Sequence, residues 1–169
     1  MGTTPLISEE EYRRSSYHPD CEYADGAVIE RNWGDQDHSW LQGALSAWFF
    51  HRRRAWSIEA YIGIRHFVRP GRCMIPDICV IHAPRPAEKV FDKPPLIWIE
   101  VLSPEDRPIR VNEKIRELRE FGVPNIWVID PETFEAEIHT SEGSRKIEDG
   151  VLRVAGTPIE VPLAALDRD

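Results

Sequence analysis

The chain has 169 residues, 41% of them hydrophobic, and a net charge of −8 from 21 Lys plus Arg against 29 Asp plus Glu. That length suits one domain around one core, and no apolar run approaches the roughly 18–20 residues of a membrane span. The acidic balance argues against tight, non-specific nucleic-acid binding, although a divalent cation would reverse the local sign of an acidic site.

The N-terminus has no basic start followed by an apolar stretch, so no signal peptide is expected. Gly2 lacks the second membrane signal that a lipid anchor needs. Cys21, Cys73 and Cys79 form no CxxC and are odd in number. They read as buried, reduced thiols of a cytoplasmic protein.

Ser8 followed by Glu11 is a capping box that predicts a short helix over 9–16. Residues 21–31 predict a hairpin turning at Asp25-Gly26. A long helix is predicted over 37–53, where Leu41, Leu45, Trp48 and Phe49 share one face. At its end, His51-Arg52-Arg53-Arg54 fits a solvated helix terminus favoured by the helix dipole, with phosphate contact as the alternative. One strand is expected over 57–68, with Ile58, Ala60, Ile62 and Ile64 on one side, then a turn at 69–72. Residues 73–82 and 96–102 are apolar on both faces except at Asp77 and Glu100, the pattern of strands covered on both sides. Four prolines (Pro84, Pro86, Pro94, Pro95) make 83–95 a loop. A second long helix spans 109–121, stopped by Gly122 and Pro124. A buried strand follows at 125–130, then short polar strands at 134–140 and 144–154 and a small helix near 162–166. The chain reads as a single α/β domain over 1–169, with its core at about 20–131.

Asp77 and Glu100 carry the chemical interest. An ionised carboxylate buried without a partner costs several kcal/mol, so each needs a cation, a hydrogen-bond donor or a raised pKa. Two converging carboxylates are the oxygen ligands expected for Mg²⁺ or Mn²⁺. Pairing with arginines, or a strand end in water, is the alternative. On the second long helix, Val111, Ile115 and Leu118 centre the inward face. Lys114 lies about 60° from that centre, whereas Glu113, Arg116, Glu117, Arg119 and Glu120 lie round toward solvent. Lys114 either reaches the carboxylates to stabilise phosphoryl charge or snorkels over apolar surface.

Pro76-Asp77, then Glu100-Val101-Leu102-Ser103-Pro104, then Lys114 in a helix leading to Trp127-Val128-Ile129-Asp130-Pro131, together resemble a known group. It is the bacterial putative restriction endonuclease family of the PD-(D/E)xK, or restriction-endonuclease-like, nuclease superfamily. The Glu22-Tyr23-Ala24-Asp25-Gly26 hairpin and His38 fit the same group. The resemblance implies a mixed sheet flanked by helices and a metal-dependent endonuclease that hydrolyses phosphodiester bonds of nucleic acid, with DNA as the expected substrate. It implies Asp77, Glu100 and Lys114 as catalytic residues, with Asp77, Glu100 and the backbone carbonyl of Val101 holding Mg²⁺ or Mn²⁺. The superfamily's E-x-K would put its lysine at 102, where this chain has Leu102. In several branches the lysine has moved to the next helix, as Lys114 would require.

Other polar residues carry weaker expectations. His38 is an auxiliary at the metal or a structural histidine at a helix start. Glu30 and Glu22 are auxiliary acids or part of a solvated strand face. No Ser-His-Asp pattern or Gly-rich phosphate loop occurs. The competing function is a catalytically inactive nuclease fold acting as a binding or interaction module. Cutting two strands needs two sites, so a homodimer is expected of an active enzyme.

Overall fold

The computed structural model describes residues 6–32 and 34–166; Gly2 lies outside them. Helix α1, Glu9–Arg14, starts where the Ser8 hydroxyl accepts the Glu11 backbone N–H at 3.1 Å. Strands β1, Glu22–Ala24, and β2, Ala27–Ile29, form the hairpin. Asp25 and Gly26 both take positive φ, 46° and 100°, which matches a two-residue turn to the strands' twist. Helix α2, Gln36–Trp56, is capped by Asp35 and buries Leu41, Leu45 and Phe49.

Two expected strands are each broken in two. Stretch 57–68 becomes β3, Ile58–Ile62, and β4, His66–Arg69. Gly63, at φ 60°, turns the chain between them, and the halves join different sheets. Stretch 73–82 becomes β5, Arg72–Met74, and β6, Ile78–His82. Pro76 has no N–H for a ladder, so Asp77 stands just before β6 rather than inside a strand.

Strand β7, Ile97–Val101, follows the proline-rich loop. Helix α3, Pro108–Phe121, ends at Gly122 with φ 97°. Strands β8, Ile126–Ile129, and β9, Ala136–Thr140, come next. The expected strand 144–154 is again two, β10, Gly143–Lys146, and β11, Val151–Arg153. β11 pairs with an unforeseen strand β12, Glu160–Pro162, and Leu163–Leu166 is one 3₁₀ turn.

A six-stranded mixed sheet runs β10-β9-β8-β7-β6-β3, and a four-stranded sheet runs β2-β1-β5-β4. Within the larger sheet only β7 and β8 are parallel, joined through α3. Side chains alternate across β7. Ile97, Ile99 and Val101 pack with Leu41, Leu45 and Phe49 of α2, whereas Trp98 packs with Ile115 and Leu118 of α3. By the same alternation Glu100 faces α3. Met74 and Val68 of the smaller sheet join the α3 cluster, so that helix touches both sheets. The mixed sheet flanked by helices is the α/β architecture expected. The three cysteines are buried free thiols. No described helix is long and apolar enough to cross a membrane.

Candidate active site

A cleft of about 140 Å³ opens where β7, α3, the hairpin and the start of α2 meet. Asp77, Glu100, Val101, Lys114, His38, Glu22 and Glu30 all line it. The acidic, lysine and histidine candidates from the sequence therefore reach one place, though not in equal roles, whereas the basic run at 51–54 lies at the far end of α2 and does not line it.

Asp77 is 4% exposed, and both of its carboxylate oxygens are engaged. Oδ1 accepts from Arg31 Nη2 at 2.8 Å. Oδ2 accepts the Val101 backbone N–H at 2.9 Å and lies 3.2 Å from His38 Nε2. The Asp77 carbonyl accepts from Gln42 Nε2 at 3.0 Å. His38 and Gln42 are four apart on α2, so one helix face grips the residue twice. Burial pushes the Asp77 pKa up, but the His38 hydrogen bond, the His38 and Arg31 charges and the Val101 amide hold it below the usual carboxylate range. The Asp77 hydrogen bond in turn raises His38, against the effect of burial.

Glu100 Oε1 lies 2.7 Å from Lys114 Nζ and accepts from the Trp98 indole N–H. The lysine's second partner is Glu22 Oε1 at 3.2 Å. Burial drives Glu100 up to about 7, because Lys114 offsets only part of it and the Asp77 charge adds to it. Burial works against the Lys114 ammonium, yet Glu100 and Glu22 outweigh it and keep the group charged.

Glu22 is a correction. The sequence favoured a solvated strand face, but the residue is 7% exposed. Arg72 Nη1 and the Ile75 backbone N–H both donate to it, each at 3.1 Å. Burial raises its pKa, and the Lys114 and Arg72 charges bring it below the ordinary value. Arg72 also binds Glu117 of α3 at 2.9 Å, so Glu117 does not lie free in solvent. Glu30 is exposed at the cleft mouth. Ser103 is structural: its N–H and Oγ both donate to Asp106 Oδ2, at 2.7 and 3.0 Å. Asn32 Nδ2 donates to Asp106 Oδ1 at 2.9 Å, which ties the hairpin's exit to the β7–α3 loop.

The donor set suits a hard divalent cation. The cleft gathers carboxylate oxygens, and Glu100 near 7 is an acid short of positive partners, which a cation would relieve. A separate trio, Asp35, Asp37 and Glu132, brings carboxylate oxygens within 4.8 Å of one another, but none of the three lines the cleft. Asp35 there serves as the α2 cap, accepting the His38 N–H at 2.9 Å.

Comparison with known proteins supplies a family and a fold. The Uma2 family, described as "Putative restriction endonuclease", matches residues 9–164. No curated protein matches the chain significantly. Among solved structures, the chain is similar to a protein from Anabaena variabilis described as a putative nuclease belonging to DUF820. The two are 20% identical, with a TM-score of 0.80, over 95% of this chain and 97% of that one. At that identity the likeness establishes the fold.

Proposed function

The chain belongs to the Uma2 family of putative restriction endonucleases, and from that premise we propose that its cleft is the active site of a metal-dependent endonuclease cutting phosphodiester bonds, with DNA as substrate. The observation that carries this reading is the meeting of Asp77, Glu100 and Lys114 in one cleft, with the lysine 2.7 Å from Glu100.

Asp77 and Glu100, with the Val101 backbone carbonyl, are the residues that would hold Mg²⁺ or Mn²⁺. Bound there, the ion would supply Lewis-acid stabilisation and an activated water. The chain's own groups do the rest. The α2 grip and the Val101 amide fix the Asp77 carboxylate in one orientation. Lys114 keeps its ammonium beside the carboxylates, where it orients the attacking water or meets charge developing on the phosphoryl oxygens. Glu22 and Arg72 position that lysine by fixing its second contact. Because the lysine comes from α3, Leu102 is free to pack against the apolar α3 cluster.

One observation favours a second reading, a nuclease fold kept as a binding module: Arg31 already neutralises Asp77. Plasmid nicking with Mn²⁺ separates the two. Activity is expected in the parent, is lost in Asp77→Ala and Glu100→Ala, and falls by about 10²–10³ in Lys114→Met. Nicking that persists in both carboxylate variants refutes the assignment. Cleaving both strands of a duplex takes two such sites, so the active species is a homodimer; a monomeric mass of the active enzyme by light scattering removes that part.

A further inference from the structure

Three buried or half-buried arginines contact carboxylates among the described residues, and one of them is unlike the others. Arg72 is 8% exposed and spends its donors on Glu22, Glu117 and the carbonyls of Tyr23 and Cys73. Arg65 is 9% exposed and binds both oxygens of Asp20 and the Tyr12 carbonyl. Such arginines are fixed parts of the framework. Arg31 has one hydrogen bond among the described residues, to Asp77 Oδ1, and its side chain is 27% exposed. It stands two residues beyond the end of β2, outside any ladder. Arg31 lines the cleft, and most of its five N–H donors have no partner among the described residues.

A guanidinium cannot shed its charge to make room for another cation; it can only move. Asp77 Oδ2 is committed to Val101 and His38, which leaves Oδ1 as the oxygen any newcomer must share with Arg31. A single solvent-accessible contact on a long side chain is the kind that yields. Once off Asp77, Arg31 remains in a cleft also lined by Arg110 and Lys114. Its forked donors there fit the two non-bridging oxygens of a phosphodiester.

We infer that Arg31 and the divalent cation compete for the Asp77 carboxylate, and that the phosphodiester of the substrate draws Arg31 away, so that nucleic acid loads the cation into its site. This inference rests on the nuclease reading above. It adds a coupling: nucleic acid raises cation affinity, and by linkage the cation raises nucleic-acid affinity by the same factor. An ion reaching the site without substrate meets the arginine first.

The test is Mn²⁺ titration by calorimetry of the full chain, stripped beforehand with chelator, with and without a short DNA duplex bearing a non-hydrolysable linkage. Arg31→Met should tighten Mn²⁺ binding in the absence of DNA by about tenfold, the scale of one lost hydrogen bond to a charged group. DNA should then tighten it further by less than it does in the parent. Arg31→Lys keeps the charge in the cleft without the fork, and should fall between. Arg110→Met removes a charge from the same cleft without touching Asp77, and should change Mn²⁺ affinity by less than about threefold. If Arg31→Met matches the parent, or only matches Arg110→Met, the competition is wrong while the metal site stands. If neither the parent nor any variant binds Mn²⁺, with or without DNA, the nuclease reading fails and this inference with it.

Discussion

Glu100 carries a protonation equilibrium that should be measurable in the stability of the whole domain. Its carboxyl sits at about 7, against 4.5 for the ordinary group. Between those values the folded chain holds a proton that the unfolded chain has released. Stability is therefore full below 4.5, falls as pH climbs to 7, and levels off above. A shift of that size corresponds to about 3 kcal/mol. Glutamine imitates the protonated carboxyl at nearly equal volume and still accepts from Lys114, which keeps Glu22 at 3.2 Å. Glu100→Gln should thus match the parent near pH 4.5. At about pH 8 it should exceed the parent by about 2–3 kcal/mol, or about 5–10 °C in Tm. Urea and thermal unfolding followed by circular dichroism in EDTA, across that pH range, would measure it. A difference that does not grow with pH, or a glutamine variant less stable at alkaline pH, refutes the reasoning. The same substitution should abolish nicking, so the residue would gain stability as it loses function.

His66 supplies the opposite slope. Its ring is wholly buried against Trp98 and Phe91, with centroids 4.9 and 5.1 Å away, and burial lowers its pKa from 6.5 to about 4. Neutral His66 contributes stability that is present above 6.5 and lost as pH falls through 4, about 3 kcal/mol in all. His66→Phe should flatten the acid side of the stability profile, whereas an unchanged profile would exclude the histidine as its source. Because the two windows overlap with opposite sign, Glu100→Gln should also unmask the His66 slope. Arg72→Met removes the donor shared by Glu22, Glu117 and two carbonyls. It should cost about 3–5 kcal/mol in urea unfolding, and a loss below about 1 kcal/mol would demote the network to a surface pair.

Much of this architecture is legible in the residues. Helix α1 follows from Ser8 and Glu11, α2 from its apolar stripe, and α3 from its stripe and the Gly122 stop. The buried strands β7 and β8 follow from runs that are apolar on both faces. The broken strands share one physical cause: hydrophobic pattern reports an apolar run and says little about which sheet a residue joins. Both 57–68 and 73–82 look continuous because each half is rich in apolar residues, yet Gly63 and Pro76 change the sheet between halves. β12 was missed because it is three residues long, with a proline at its end. Among the site residues, Asp77 and Glu100 stood out as charges in apolar runs. Glu22 and Arg31 did not, because charges at the ends of a short hairpin look solvated until a helix from elsewhere covers them. Lys114 was readable only by angle, since nothing local reveals which carboxylates its helix will meet.

The placement of α3 between the two sheets has a consequence in time. Glu22 and Arg31 come from the hairpin, Asp77 and Glu100 from the chain's middle, and Lys114 from a helix that can dock only after β7 and β8 pair on either side of it. Such long-range closure is slow relative to local helix and hairpin formation. During synthesis the carboxylates emerge first and wait for their lysine, so a half-made chain carries acids but no ammonium to act with them. On the proposed nuclease reading, cutting power would then arrive late, with completion of the core, and a chain that stops before Lys114 would lack it.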